Sequence, residues 1–313
     1  MYDIVGDIHG FAEPLKQLLT KLGYSEIDGV WQHPTRKALF LGDYIDRGPQ
    51  QVEVVRIVRA MEQAGHALAI LGNHEFNAVA WATPNPNKPG EYLRPHNAKN
   101  LQQHREFLQQ VGGNSPQHLE IIRWFKTLPV YLDLPGFRAV HACWHRKYLG
   151  ELAPRLDEKN RLKDDAWLSA SKKGHPLNAA VETLLKGLEI PLPEGGQFHD
   201  KDGHARTDIR TRWWLQHTHT YRDLAMVPAD VIERIPHQPV PAGILPGYDN
   251  QKPVFVGHYW LTGDPAPLAD QIACLDYSVV SARQGKLVAY RWDDKPLSKA
   301  NYIWVARTEK NSP

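Results

Sequence analysis

The sequence predicts a layered α/β fold. Short apolar strands alternate with amphipathic helices through the first third of the chain, and each of those strands ends in glycine followed by a polar residue. The chain then closes on a further run of strands.

Ile4 and Val5 begin a short buried strand that ends in Gly6-Asp7. Pro14 opens a helix, where its missing N–H costs nothing. Leu15, Leu18, Leu19 and Leu22 fall at i, i+3, i+4, i+7 on one face, and Gly23 stops it. A second strand, Ala38–Leu41, ends in Gly42-Asp43, and a helix with Val54, Ile57, Val58 and Met61 on one face follows. A third strand, Ala67–Leu71, ends in Gly72-Asn73-His74. Residues 83–98, rich in Pro and Asn, read as a surface loop. Two amphipathic helices are expected near 99–111 and 116–127, then strands Val130–Leu134 and Phe137–Val140 turning at Pro135-Gly136, the second running into His141. From about 150 to 250 the periodicity weakens among prolines. That stretch is expected to be a cap or insertion over the active face, on a single domain spanning 1–313. The end is strand: Val254–Val256 into Gly257-His258, Ile272–Leu275, Leu287–Arg291 after a turn at Gly285-Lys286, and Tyr302–Val305.

With 313 residues the chain is long enough for one large domain or two modest ones with a well-buried core. The formal net charge of +2 gives no electrostatic footprint for general nucleic-acid or membrane binding. No apolar run reaches membrane-spanning length. Two cysteines, Cys143 and Cys274, cannot frame a domain of this size and suit a reducing compartment. The N-terminus opens on the strand-like Tyr2–Val5, with no basic segment followed by an apolar one, so a cytoplasmic protein is expected.

Histidine, at 16 residues, is the compositional outlier, and its positions decide what that means. Strand ends present Asp7 and His9, Asp43, Asn73 with His74, His141, and His258. In layered α/β folds ligands bind beyond the carboxyl ends of strands, so these residues can meet on one rim. Carboxylate, imidazole and amide oxygen together suit Mn²⁺, Fe or Zn²⁺, and an aspartate can bridge two ions.

The segments Gly6-Asp7-Ile8-His9-Gly10, Gly42-Asp43-Tyr44-Ile45-Asp46-Arg47-Gly48-Pro49, Gly72-Asn73-His74-Glu75 and Gly257-His258 resemble the signature of the calcineurin-like metallophosphoesterases. The Asp46-Arg47-Gly48 and Asn73-His74-Glu75 forms resemble its phosphoprotein phosphatase branch. The resemblance implies a four-layered α/β/β/α sandwich with an inserted cap. It implies that Asp7 and His9 hold a first metal, that Asp43 bridges, and that Asn73, His141 and His258 hold a second. Arg47, with Asn73, would bind the phosphate. His74 would protonate the leaving oxygen, oriented and charged by Asp46. A hydroxide bridging the metals, most simply two Mn²⁺, would attack phosphorus in line. The implied substrates are phosphomonoesters, phosphoserine and phosphothreonine among them, on the strength of Asp46 and Glu75. The alternative is dinucleoside polyphosphates, which Gly257-His258-Tyr259-Trp260 favours because the symmetric diadenosine tetraphosphate hydrolases share a Gly-His followed by an aromatic. A nucleic-acid end-healing phosphatase is a third enzyme reading, which the near-neutral charge disfavours. A metal-free binding module would have lost ligands, and none is lost.

Blander readings stand beside these. Asn73 could cap the next helix. His145 rivals His141, and His217 and His219 rival His258, but in each case the strand-end residue is preferred. Trp213-Trp214 reads as packing. The family's second phosphate-binding arginine does not align, which leaves Arg146, Arg210, Arg212 and Arg222 as candidates.

Overall fold

The computed structural model describes residues 1–199, 205–216, 220–227, 231–241 and 243–307. Strand β1 (Tyr2–Val5) leads into helix α1 (Ala12–Leu22), which buries Leu15, Leu18, Leu19 and Leu22 and ends on left-handed Gly23. A hairpin of β2 (Ser25–Ile27) and β3 (Val30–Gln32) follows. Its signal is Asp28-Gly29, both left-handed, between apolar Ile27 and Val30. Then come β4 (Lys37–Phe40), α2 (Gln51–Gln63), β5 (Ala67–Ala69), α3 (Asn73–Ala82), α4 (Ala98–Val111) and α5 (Pro116–Phe125). The strands β6 (Tyr131–Asp133) and β7 (Arg138–Val140) pair antiparallel, as expected.

The middle of the chain carries α6 (Arg146–Leu152), α7 (Ala166–Ser171), α8 (Pro176–Lys186), β8 (Glu189–Pro191), β9 (Phe198–His199), β10 (Ala205–Arg206), β11 (Asp208–Arg210) and α9 (Tyr221–Leu224). The end supplies β12 (Val254–Val256), β13 (Ile272–Cys274), β14 (Asp276–Tyr277), β15 (Lys286–Trp292) and β16 (Tyr302–Ala306).

Two sheets face each other. One has the order β14-β15-β1-β4-β5, with β16 on β15; the other has the order β13-β12-β7-β6. Period-two alternation explains the layering, because successive side chains point to opposite faces. Ile4, Leu39, Val288 and Tyr290 of the first sheet meet Ala139, Phe255 and Ala273 of the second in the buried layer between them. Their neighbours Val5, Ala38, Phe40, Ala289, Val140, Val254 and Val256 turn the other way and join the apolar faces of the helices. Both faces of these strands are covered, so they read as continuous apolar runs. This is the α/β/β/α sandwich. The strands β1, β4 and β5 run parallel, as do β7, β12 and β13, and their carboxyl ends carry the residues singled out above.

Between 146 and 187 the chain packs on the main core. Leu177, Val181, Leu184 and Leu185 of α8 are buried with the sandwich, and Leu184 O accepts the Ala142 and Cys143 amides at 2.9 and 3.2 Å. Beyond it a smaller core of Ile190, Phe198, Ile209, Leu224 and Ile235 forms by itself. Trp213 ties that part to the sandwich: its indole Nε1 donates to Ala142 O at 3.2 Å and to the Tyr259 hydroxyl at 3.0 Å.

Candidate metal centre

The strand ends approach one another because glycine precedes the polar residues. A Cβ on Gly257 would overlap the Asp7 carboxylate, and one on Gly72 would overlap the Asp43 amide and the Glu75 carboxylate. The polar residues themselves are bent. His9, Asp43, Asp46, Arg47, His258 and Trp260 take left-handed backbone, with φ of 48, 53, 67, 73, 70 and 53°. Each such residue costs on the order of 1–3 kcal/mol, a cost that clusters where function requires it.

Asp43 lies at the centre, buried. Its Oδ2 is 3.7 Å from His9 Nε2 and 3.9 Å from His74 Nε2, while its Oδ1 is 3.3 Å from His141 Nε2. On the second side, Asn73 Oδ1 is 3.1 Å from His141 Nε2 and 2.7 Å from His258 Nδ1. Asn73 is the first residue of α3, and its side chain turns to the histidines rather than capping the helix. Asp7 joins through Oδ2, which accepts the His258 amide at 3.0 Å, while its Oδ1 has no hydrogen-bond partner.

Tautomers show what these contacts need. The carbonyls of Ile45 and Leu41 can only accept, so His9 Nδ1 (3.1 Å) and His141 Nδ1 (2.7 Å) carry the protons. The Nε2 lone pair of His9, the ring that burial keeps neutral, then points at the Asp43 carboxylate. Lone pair facing lone pair in a buried site is repulsive unless a cation lies between. His9 Nε2 has no hydrogen-bond partner. Two groups of candidate ligands share Asp43: His9, Asp43 and His74, and Asp43, His141 and His258. The donor set fits a pair of borderline divalent ions.

The electrostatics agree. Burial pushes Asp7 well up, and the charges of Asp276 and Asp43 push it further. Burial pushes His9 down to about 3. For His141 burial acts downward, but Asp43, then Asp7, lift it to about 10.

Beside this cluster stands an ion-paired dyad. His74 Nδ1 donates to Asp46 Oδ2 at 2.5 Å, which leaves His74 Nε2 facing the Asp43 side. Burial works against charge on His74, yet Asp43 and Asp46 outweigh it and raise its pKa. Arg47 is exposed, its guanidinium 4.4 Å from the centroid of Trp260.

The family model for calcineurin-like phosphoesterases matches residues 2–268. The chain belongs to that family. A member of this family holds two divalent metals, which agrees with the two ligand groups around Asp43. A bis(5'-nucleosyl)-tetraphosphatase PrpE, described as asymmetrical, from Oceanobacillus iheyensis is 30% identical over 141 residues, 45% of this chain and 54% of that protein. A symmetrical bis(5'-nucleosyl)-tetraphosphatase from Stutzerimonas stutzeri is 31% identical over 169 residues, 52% of each. The chain thus spans about half the length of these relatives. The solved cold-active protein-tyrosine phosphatase of a Shewanella species shares the fold at TM-score 0.53 and 17% identity, over 97% of this chain and 79% of its own.

Among calcineurin-like phosphoesterase residues expected from the sequence, Asp7, His9, Asp43, Asn73, His74, His141 and His258 converge. His145 does not; it precedes α6 and its ring lies against Tyr148. His217 and His219 lie outside the described residues. Of the candidate arginines, Arg222 is engaged by Glu233 and by the Ile235 carbonyl. Arg210 is the one whose charge bears on His258, lowering its pKa after burial.

Four residues near the centre carry no role in the sequence reading. In the sequence Glu75 marks only the family branch. It is buried and accepts the amides of Asp43 (2.8 Å), Tyr44 (2.8 Å) and Gly72 (3.1 Å), so it ties two strand ends together. Asp276 accepts the Trp260 amide at 2.7 Å. Trp260 packs on Arg47. His104, deep on α4, donates to Asp46. A signal existed for Trp260, next but one to His258. Nothing in the sequence separates His104 from an ordinary core residue of an amphipathic helix.

Proposed function

We propose that the chain is a dinuclear-metal-dependent phosphoesterase. The observation that carries the reading is Asp43, whose one oxygen serves the His9 side and whose other serves the His141 side. Asp7, His9 and Asp43 would hold one ion, and Asp43, Asn73, His141 and His258 the other. Mn²⁺ leads, with Fe and Zn²⁺ as alternatives, since the donors are oxygens and imidazoles without thiolate. When bound, such a pair clamps a phosphate and lowers the pKa of a shared water to about 7.

The side chains supply the rest. Arg47 offers a planar fork to the phosphate, held in place by the Trp260 ring. Arg210, which pairs with Glu189 at 3.4 Å and whose charge bears on His258, would be the candidate for a second phosphate-binding arginine. His74 is charged only when both ring nitrogens are protonated. Nδ1–H is donated to Asp46, and the Nε2 proton passes to the leaving oxygen as its bond to phosphorus breaks. Residues 150–250 are taken as a variable insertion on a single domain, with the part around Trp213 and Arg210 bordering the centre. A cytoplasmic setting belongs to the same proposal, supported by two buried, unpaired cysteines. Among the described residues no helix is long and apolar enough to cross a membrane.

The His74–Asp46 pair favours phosphomonoesters with poor leaving groups, including phosphoserine and phosphothreonine, because an alkoxide cannot leave without a proton. Glu75 no longer supports that choice, since its carboxylate is spent on backbone amides. The second reading is dinucleoside polyphosphates, favoured by the two tetraphosphatase relatives. Their leaving group, a nucleotide phosphate, departs readily. The test compares kcat/KM for an aryl phosphate, a phosphoserine peptide and diadenosine tetraphosphate with Mn²⁺. The first reading expects the peptide to lead and the second the dinucleotide. Turnover of none of the three refutes the phosphoesterase proposal.

A further inference from the structure

We infer that His104 is a positioning residue of the proton-donating machinery, acting on His74 through Asp46. The inference rests on the phosphoesterase reading and extends it to a residue on another element.

Asp46 is buried, and both of its carboxylate oxygens are engaged by imidazole nitrogens. Oδ2 accepts from His74 Nδ1 at 2.5 Å and Oδ1 accepts from His104 Nδ1 at 2.8 Å. A carboxylate held by one donor can rotate about its Cβ–Cγ bond; one held at both oxygens cannot. The Asp46 amide is fixed as well, donating to Gln51 Oε1 at 2.6 Å. His104 thus sets the plane in which Asp46 meets His74, and His74 in turn aims Nε2 at the Asp43 side.

The surroundings of His104 are built for this one contact. The residue is fully buried on α4. Its ring lies 5.0 Å from that of Phe107 and 5.9 Å from that of Trp81, edge-on to the latter. Nε2 has no hydrogen-bond partner among the described residues, so the bond to Asp46 is the polar contact that keeps an imidazole in an apolar wall. The Pro- and Asn-rich loop fixes the helix in register. Arg94 Nη2 donates to Gln103 Oε1 at 2.7 Å, one residue before His104, and His96 stacks between Trp81 and Tyr92 at 3.7 and 4.1 Å. The loop after α3 therefore delivers α4 to the dyad.

The experiment measures kcat, KM and bound Mn²⁺ for wild type, His104→Ala and His104→Asn on aryl phosphates of rising leaving-group pKa. Asparagine Nδ2 can occupy the place of imidazole Nδ1 and keep the donated bond. A hydrogen bond to a charged group sets the scale, so His104→Ala is expected to lose about tenfold in kcat on the poorest leaving group and much less on 4-nitrophenyl phosphate. KM and metal content stay unchanged, and His104→Asn recovers most of the loss. Equal losses across the series, no loss, or an asparagine variant no better than alanine overturns the inference. A wild type that turns over none of the series overturns the phosphoesterase reading instead, and this inference falls with it.

Discussion

Replacing Glu75 by glutamine tests how the strand ends are held at the centre. In the wild type, Oε2 accepts the amides of Asp43 and Gly72, and Oε1 accepts that of Tyr44 at 2.8 Å and that of Ile45 at 3.4 Å. Glutamine keeps the shape but turns one oxygen into an N–H₂ group that faces two backbone donors. Leaving two buried donors unmade costs about 2–6 kcal/mol at about 1–3 each. Unfolding entropy near 2.1 cal/mol/K per residue makes a loss of about 4 kcal/mol a fall of roughly 6 °C in Tm for a chain this long. The assay is scanning calorimetry on protein stripped of metal by chelation, so that altered metal affinity does not contribute. Burial and the Asp43 charge raise the Glu75 carboxyl to about 7, so the scan is run near pH 8, where the wild-type group is ionised. A Tm within about 1 °C of wild type would refute the assignment of Glu75 as the tie between these loops.

Two further outcomes are expected. Arg47→Lys gives up the planar fork and much of the contact with Trp260, so kcat/KM should fall by roughly tenfold or more while metal content holds; an unchanged kcat/KM would remove Arg47 from phosphate binding. His118 is buried, and burial, then His104, lower it from 6.5 to about 4. The unfolded chain therefore binds this proton first. His118 contributes stability that is present above about 6.5 and is lost as pH falls towards about 4. Urea unfolding across that window should show a shallower pH slope for His118→Gln; identical slopes would contradict the burial argument.

The convergence of the strand-end residues was legible because period and position both pointed to one rim. His258 ends a strand on the rim, and that placed it ahead of the more metal-like spacing of His217 and His219. The bridging role of Asp43 came from the family resemblance, and the structure sets its two oxygens beside two separate groups of candidate ligands. What stayed hidden depends on tertiary contacts. Leu177, Val181, Leu184 and Leu185 form a helical face with Pro176 at its start and Gly187 at its end, yet the surrounding prolines and polar residues masked α8. Glu75 belongs to a recognisable motif, but only the fold shows that its carboxylate meets backbone amides. His104 is 58 residues from Asp46, and no local pattern announces that bond. Trp213 read as packing, and it does pack, though its indole also fixes the loop after His141 to the one after His258.

The most direct test counts the metal. Protein equilibrated with Mn²⁺ and freed of excess is analysed by inductively coupled plasma mass spectrometry. With Asp43 shared between two ligand groups, wild type should carry about two ions per chain, Asp43→Ala close to none, and His74→Asn about two. A wild type that binds no more than one ion, or an Asp43→Ala variant that keeps both, would contradict the shared carboxylate on which the account rests.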